Sequence, residues 1–91
     1  MKKLRSLRIG WFTKIVAFGY AKGGVPDILG CIRGKFVAIE LKSPEVKDPI
    51  KALDPTQALI IAIIRHHGGP VLVSNNLQEI VNFVTQIYND P

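Results

Sequence analysis

The sequence has little cysteine and no long apolar run. Cys31 is the single cysteine among 91 residues, so no disulfide can form within the chain, which fits a reducing cytoplasm. A lone cysteine in an apolar stretch is most often a small buried residue, so we expect Cys31 in the core. The longest apolar run, residues 58–64, is much shorter than the ~20 residues of a membrane-spanning helix. The sequence therefore predicts a protein without membrane contact.

Acidic residues are missing from the first 26 positions. This segment has six lysines and arginines, whereas residues 27–91 have six cations and seven acids, so the net charge of +5 divides into +6 and −1. Such an asymmetry predicts a polyanionic partner, nucleic acid before a membrane surface. A solvated basic tail that aids solubility is the alternative.

The composition is typical of a globular protein, with 47% hydrophobic and 21% charged residues. The length predicts one domain spanning residues 1–91, whose residues 1–10 form a basic arm or a short helix. Strand patterns follow at 11–18, 27–32, 35–42 and 70–74, and helix patterns at 54–69 and 77–88. The order strand, strand, strand, helix, strand, helix predicts an α/β fold with a mixed sheet flanked by helices.

The first of the two longer helices has clear end signals. Asp54 is the expected N-cap, Pro55 takes the first helical position, and Gln57 can close a capping box. Gly68 is expected to end the helix. Its middle is apolar nearly all round, so we expect it to be largely buried. The last helix should be capped by Asn75 or Asn76.

Charged residues interrupt the apolar hairpin formed by the second and third strands. If Arg33 and Gly34 are the two central residues of the turn, Asp27 lies directly opposite Glu40, and Lys42 points to the same face. That face should be a wet patch, with Ile28, Val37, Ile39 and Leu41 forming the core on the other side.

Two opposed carboxylates repel each other, and a hard divalent cation would compensate them. Mg²⁺ accepts one or two protein carboxylates and fills its shell with water and phosphate oxygens. A lysine beside such an ion can orient an attacking water and neutralise the transition state. The alternative is a solvated cluster of Asp27, Glu40 and Lys42 on an open sheet.

At these residues the sequence resembles a known family. The pair Pro26-Asp27 followed by Glu40-Leu41-Lys42 is similar to the motif of the PD-(D/E)xK nuclease superfamily. The fuller pattern "GVPDILGCIRGKFVAIELKSP…LDPTQ…HHGGPVLV" resembles its VRR-NUC branch, the virus-type replication-repair nucleases. The resemblance covers roughly residues 11–80, most of the chain.

The resemblance implies a restriction-endonuclease-like core and phosphodiester hydrolysis that depends on Mg²⁺ or Mn²⁺. Asp27 and Glu40 would be the metal carboxylates, the backbone carbonyl of Leu41 a further ligand, Lys42 the catalytic lysine, and Gln57 a neighbour of the site. Stand-alone members resemble Holliday junction resolvases that act as homodimers, which implies branched DNA as substrate and the cytoplasm of a bacterial or phage-infected cell. The family pattern also opens with a helix carrying a glutamate. No acid precedes Asp27 here, so this helix is expected to be short or missing.

Several other residues are candidates for contact with DNA. Arg8, Lys14, Tyr20 and Lys22 lie in the basic segment before the motif and suit phosphate contacts, with an ordinary strand edge and loop as the alternative. The glycine pair at 23–24 allows backbone to approach a ligand. Trp11 is expected in the core or at a dimer contact, with base stacking as the alternative. A non-catalytic nucleic-acid-binding module and a small domain that binds an acidic protein remain alternatives to a nuclease.

Overall fold

The computed structural model describes residues 1–16 and 23–90. Its elements in chain order are α1 (Lys2–Ser6), β1 (Trp11–Lys14), β2 (Ile28–Ile32), β3 (Lys35–Leu41), α2 (Pro55–His66), β4 (Val71–Ser74) and α3 (Leu77–Asn89). The strands form one sheet in the order β1-β2-β3-β4, with antiparallel pairing except between β3 and β4, which are parallel. The predicted mixed sheet flanked by helices is confirmed, and the first helix has only five residues.

The hairpin register is the predicted one. β2 pairs with β3 from Ile28–Ile39 to Ile32–Lys35, across a turn at Arg33 and Gly34 that both have positive φ. Positive φ is costly for arginine. The Arg33 side chain makes compensating contacts, since its guanidinium donates to the carbonyl of Tyr88 at 3.1 Å and lies 5.4 Å from the centre of the Tyr88 ring. The turn therefore also holds the C-terminal end of α3.

The larger core lies between the sheet and the helices α1 and α3. Alternate residues of each strand face this side because successive strand residues point to opposite faces. Its buried members are Leu4, Phe12, Ile28, Ile32, Val37, Ile39, Ile80 and Val84. The predicted core residues of the hairpin are confirmed except for Leu41, which is 37% exposed because it lies beyond the ladder between β2 and β3.

Helix α2 covers part of the other face of the sheet, over β3 and β4, and Leu29 of β2 packs against the edge of the cluster formed there. The buried residue Ile61 of α2 packs with Ala38, Val71 and Val73 in this second, smaller cluster. The expectation that α2 is largely buried is wrong, since Leu59 and Ile63 are 59% and 47% exposed. One helix of 12 residues lying on two strands contacts them along one side, and its outer side stays in solvent.

The half of this face over β1 and β2 is not covered by α2. Trp11 is 64% exposed and Cys31 is also exposed, so the expectations that place either residue in the core are wrong. Both side chains point to the α2 face, beside the part of the sheet that α2 covers.

The helix ends follow the sequence signals. Asp54 caps α2, Pro55 opens it, and Gly68 follows it with φ of 86°. Asn76, not Asn75, caps α3, and the Asn75 amide instead donates to backbone carbonyls of the loop after β3, including that of Val46 at 2.7 Å. Among the described residues, no helix is long and apolar enough to cross a membrane.

Candidate functional site

The motif residues meet at one end of the sheet. Glu40 lies near the end of β3, Lys42 directly follows that strand, Asp27 directly precedes β2, and Gln57 lies in the first turn of α2. Because β2 and β3 are antiparallel, the start of one strand lies beside the end of the other. Three chain segments that are far apart in sequence thus contribute to one place.

Asp27 is held on both sides by backbone. Its carbonyl accepts from the N–H of Ile15 at 2.7 Å, and its carboxylate Oδ2 accepts from the N–H of Leu41 at 2.8 Å. A backbone N–H donating to a carboxylate is a charge-assisted hydrogen bond, stronger than a neutral one. The register, if it continued, would pair Asp27 with Glu40. The regular ladder ends at Ile28, however, so the two are not ladder partners. The Asp27 carboxylate instead reaches the residue that follows Glu40.

The same hydrogen bond indicates where the Leu41 carbonyl points. In an extended strand the N–H and C=O of one residue are directed to the same side. The N–H of Leu41 is directed at Asp27, whereas the N–H of Lys42 points the other way, to the carbonyl of Ser74 at 3.0 Å. We therefore expect the Leu41 carbonyl on the Asp27 side, as a metal ligand there requires.

Glu40 is buried, with 2% of its surface exposed. It lies on the α2 face of β3, and its Oε2 accepts from the Gln57 amide nitrogen at 3.4 Å. The expected wet patch is therefore wrong for Glu40, which lies under the first turn of α2. Asp27 and Lys42 are half-buried. A buried carboxylate such as that of Glu40 is costly unless neighbouring charges and hydrogen bonds compensate it.

Gln57 connects Glu40 to Lys42. Its Oε1 accepts from the Lys42 ammonium at 2.9 Å while its amide nitrogen donates to Glu40, so one side chain contacts both charged groups. The amide orientation follows from chemistry, since an ammonium only donates hydrogen bonds and a carboxylate only accepts them.

The position of Gln57 is fixed by the helix cap. Its Oε1 also accepts from the N–H of Asp54 at 3.0 Å, and its own N–H donates to Oδ1 of Asp54 at 2.8 Å. This is the predicted capping box. The residue that closes the helix end is therefore also the residue that contacts Glu40 and Lys42.

Gly24 lies in the loop that precedes β2, at the point where this loop approaches helix α2. With φ of 81°, it lies so close to Thr56 that an added Cβ would be 2.7 Å from Thr56 Cγ2 and 3.1 Å from its carbonyl carbon. The glycine pair allows close approach of backbone, and Gly24 approaches the first turn of α2. It brings the segment carrying Asp27 against the helix carrying Gln57. Sequence reasoning missed this role, since the glycine pair alone does not say what approaches it.

The predicted DNA-contacting residues separate in the structure. Lys14 is exposed and pairs with Ile28, next to Asp27. Arg8 is exposed near the start of β1, which lies at the opposite end of the sheet. Tyr20 and Lys22 lie outside the described residues. Of the two candidates within the described residues, Lys14 is the one that lies near the motif.

The oxygen atoms at the site are suitable ligands for a hard cation. Two carboxylates and a backbone carbonyl are the donors that Mg²⁺ and Mn²⁺ prefer, so Asp27, Glu40 and Leu41 fit such an ion by chemistry. Within residues 1–16 and 23–90, no cluster of three or more His, Cys, Asp or Glu residues is placed to hold a metal. The candidate ligand set contains only two such residues, Asp27 and Glu40, because its third ligand is the backbone carbonyl of Leu41.

Comparison of the chain with protein-family models, with curated proteins and with solved structures gave no match.

Proposed function

We propose that this chain is a metal-dependent DNA endonuclease that hydrolyses phosphodiester bonds. One observation carries the proposal. The Asp27 carboxylate is bound to the backbone of the Glu40–Lys42 segment, and Gln57 joins Glu40 to Lys42 through its amide. The motif residues thus form one connected group in space. Residues that match a short motif by chance need not lie close to one another.

A divalent ion would be held by the carboxylates of Asp27 and Glu40 and by the carbonyl of Leu41. When bound, it supplies Lewis-acid stabilisation of a phosphoryl oxygen and activation of a water molecule. Two carboxylates at one place favour a cation over an empty site, because the ion compensates their mutual repulsion.

Lys42 is the proposed electrostatic catalyst. The oxygen of a water molecule bonds to phosphorus and the P–O bond to one sugar oxygen breaks. The water loses a proton and the leaving oxygen gains one, while negative charge increases on the phosphoryl oxygens. A fixed ammonium beside those oxygens stabilises this charge. The hydrogen bond to Gln57 holds Lys42 in place, so little reorganisation is needed when the charge develops. Gln57 is therefore a positioning residue for Lys42 and Glu40.

The fold supports the same proposal. Three antiparallel strands followed by a helix and a parallel fourth strand agree with the restriction-endonuclease-like core that the resemblance implies. The resemblance also favours branched DNA such as a Holliday junction as substrate, a homodimer as the active form, and Mg²⁺ or Mn²⁺ as the metal. The basic N-terminal segment is compatible with a DNA partner.

Cleavage of labelled DNA tests the proposal. Purified protein should cut a four-way junction in Mg²⁺ or Mn²⁺ and should lose this activity in EDTA. Lys42→Ala should reduce the rate by at least ~100-fold, the effect of removing one group that stabilises transition-state charge. Lys47→Ala, which removes an exposed lysine of the following loop, is the matched control and should retain activity. Branched and duplex DNA left equally uncut by the wild type and Lys42→Ala would remove the basis of the proposal.

A second candidate is a nucleic-acid-binding module without cleavage activity. The basic segment before Asp27 favours it, because lysines and arginines bind phosphates whether or not a bond is cut. This candidate predicts salt-sensitive DNA binding that is unchanged in Asp27→Asn. Asparagine retains an oxygen that can accept from Leu41, so the variant should fold. Calorimetry distinguishes the two candidates: Mg²⁺ binding that Asp27→Asn abolishes supports the nuclease.

A further inference from the structure

A cavity of about 250 Å³ lies on the side of the sheet that α1 and α3 cover, at the same end as the motif residues. Its floor is formed by the core residues Leu4, Ile28 and Ile80, each at most 6% exposed. Helix α1 is too short to close this layer, because its five residues extend about 7.5 Å whereas the seven residues of β3 extend about 23 Å. The gap between α1 and the start of α3 therefore opens the cavity at the end of β3.

The cavity borders the candidate site through Leu41 and Lys42. Glu40 lies on the α2 face of β3, so the next side chain, that of Leu41, points to the opposite face, where it lines the cavity and is 37% exposed. The backbone carbonyl of the same residue is the proposed metal ligand. Lys42 also lines the cavity, while its ammonium donates to Gln57. A phosphodiester at the proposed metal would therefore have its neighbouring nucleotide at the mouth of the cavity.

The charge of the cavity is positive. Of the described residues that line it, two are lysines and none is acidic. One of them is Lys3, an exposed residue of α1 that belongs to the basic N-terminal segment. The cavity thus combines an apolar floor with a positive rim. A ligand that matches both features has an apolar ring and a negative charge, as a nucleotide has.

The size and charge of the cavity decide between its possible occupants. Pockets for drug-sized ligands have volumes of about 300–1,000 Å³, so a cavity of about 250 Å³ suits a single base. A second copy of this chain would bring its own net charge of +5 against the two lysines, and like charges oppose association. We propose that the cavity binds the base of an unpaired nucleotide next to the scissile phosphate, with Lys3 on the phosphate of that nucleotide. The position beside the cut bond rests on the proposed function.

This cavity gives a physical reason for selectivity towards DNA structure. A base can enter it only after leaving the stack, and the free energy of unstacking and unpairing is smallest for a base that is already unpaired. DNA with an unpaired nucleotide beside the cut, as at a branch point or a bulge, is therefore the preferred substrate class. A continuous duplex has to lose a base pair first.

Binding in EDTA, where no cleavage occurs, tests the proposal by the anisotropy of labelled DNA. Three duplexes of one sequence are compared: a fully paired one, one with a single bulged thymidine, and one whose bulged nucleotide lacks its base. We expect the bulged duplex to bind about 10- to 100-fold more tightly than the paired one, because the paired duplex must first extrude a base. The bulge without a base should lose most of this preference. Equal affinity for the two bulged duplexes would overturn the proposal, since a flexible backbone alone would then explain the binding.

Leu77→Trp tests whether the base enters this cavity. Leu77 lines the mouth and is 58% exposed, so a larger side chain there should narrow the cavity without unfolding the chain. The preference for the base should be lost. Leu59→Trp is the matched control, since Leu59 is 59% exposed on the outer side of α2, and it should keep the preference. A preference that persists in Leu77→Trp would overturn the assignment, as would a dimer that this variant converts to a monomer with equal DNA binding.

Lys3→Ala tests the phosphate contact. This variant should reduce the slope of log affinity against log salt concentration by about one, and Lys3→Arg should restore it. Lys2→Ala is the control, because Lys2 is an exposed neighbour that does not line the cavity, and it should leave the slope unchanged. Equal reductions in Lys2→Ala and Lys3→Ala would contradict a specific contact of Lys3.

Photocrosslinking locates the base directly. With iodouracil in place of the bulged thymine, irradiation in EDTA should give crosslinks within residues 1–4 and 75–80, and crosslinks confined to other residues would overturn the proposal. Neither measurement requires the metal. Absent cleavage with the base preference intact would refute the nuclease alone, whereas intact cleavage without a base preference would refute the base site alone.

Discussion

Gly24→Ala tests the contact that brings the Asp27 segment against α2. Gly24 has φ of 81°, a conformation that costs an L residue roughly 1–2 kcal/mol. The new Cβ would also lie 2.7 Å from Thr56 Cγ2 and 3.1 Å from Thr56 backbone, and such overpacking costs about 1–3 kcal/mol. We therefore expect the free energy of unfolding to fall by about 2–5 kcal/mol, a large part of the ~5–15 kcal/mol of a typical domain.

Gly23→Ala is the matched control for this change. Gly23 also has positive φ, 50°, but an added Cβ has no atom within 4 Å. Its substitution should cost only the conformational part, roughly 1–2 kcal/mol. Urea denaturation followed by circular dichroism measures both values.

The same pair of variants also reports on the site. Under conditions where both are folded, Gly24→Ala should lose more cleavage activity than Gly23→Ala, because the added Cβ moves the Asp27 segment away from Gln57. Equal losses of stability in the two variants, within ~0.5 kcal/mol, would refute the assigned contact with Thr56.

Two further predictions concern the charges of the site and the assembly. Gln57→Glu keeps the capping box, which either residue can close. One of its carboxylate oxygens would take the place of Gln57 Nε2, 3.4 Å from Glu40 Oε2, and the other the place of Oε1, 2.9 Å from the Lys42 ammonium. At an effective dielectric constant of ~20, the new carboxylate is repelled by Glu40 by about 5 kcal/mol and attracted by Lys42 by about 6 kcal/mol, so the two interactions nearly cancel. Urea denaturation should therefore show that the free energy of unfolding falls by only about 1–3 kcal/mol, because one hydrogen bond is lost and a charge is buried. This loss of stability should become smaller as acid protonates one of the two carboxylates. A loss that does not change with pH would argue against the contact between residues 57 and 40. Sedimentation should show a homodimer at micromolar concentration, since 91 residues offer little surface to grip a branched duplex, and a monomer there would count against it.

Local signals in the sequence predicted much of the fold. The Arg33-Gly34 turn fixed the hairpin register because strand pairing leaves no freedom once the turn is placed. Asp54, Pro55 and Gln57 marked the start of α2 because a cap needs only neighbours in sequence. The same locality brought Glu40 and Lys42 to one face.

Contacts between distant segments could not be predicted in this way. The apolar middle of α2 suggested burial, but burial depends on how many strands the helix covers, and α2 covers two. The contact of Gly24 with Thr56 and the hydrogen bond from the Leu41 N–H to the Asp27 carboxylate join residues that are far apart in sequence. The spacing of apolar residues along the sequence carries no information on contacts between distant segments.

In the proposed nuclease, Asp27 and Glu40 share one divalent ion. A crystal soaked in Mn²⁺ and recorded with anomalous scattering tests it directly. We predict one anomalous peak between the two carboxylates, within ~2.5 Å of an oxygen of each and close to the Leu41 carbonyl. Absence of a peak at saturating Mn²⁺, or a peak that touches neither carboxylate, would contradict the claim.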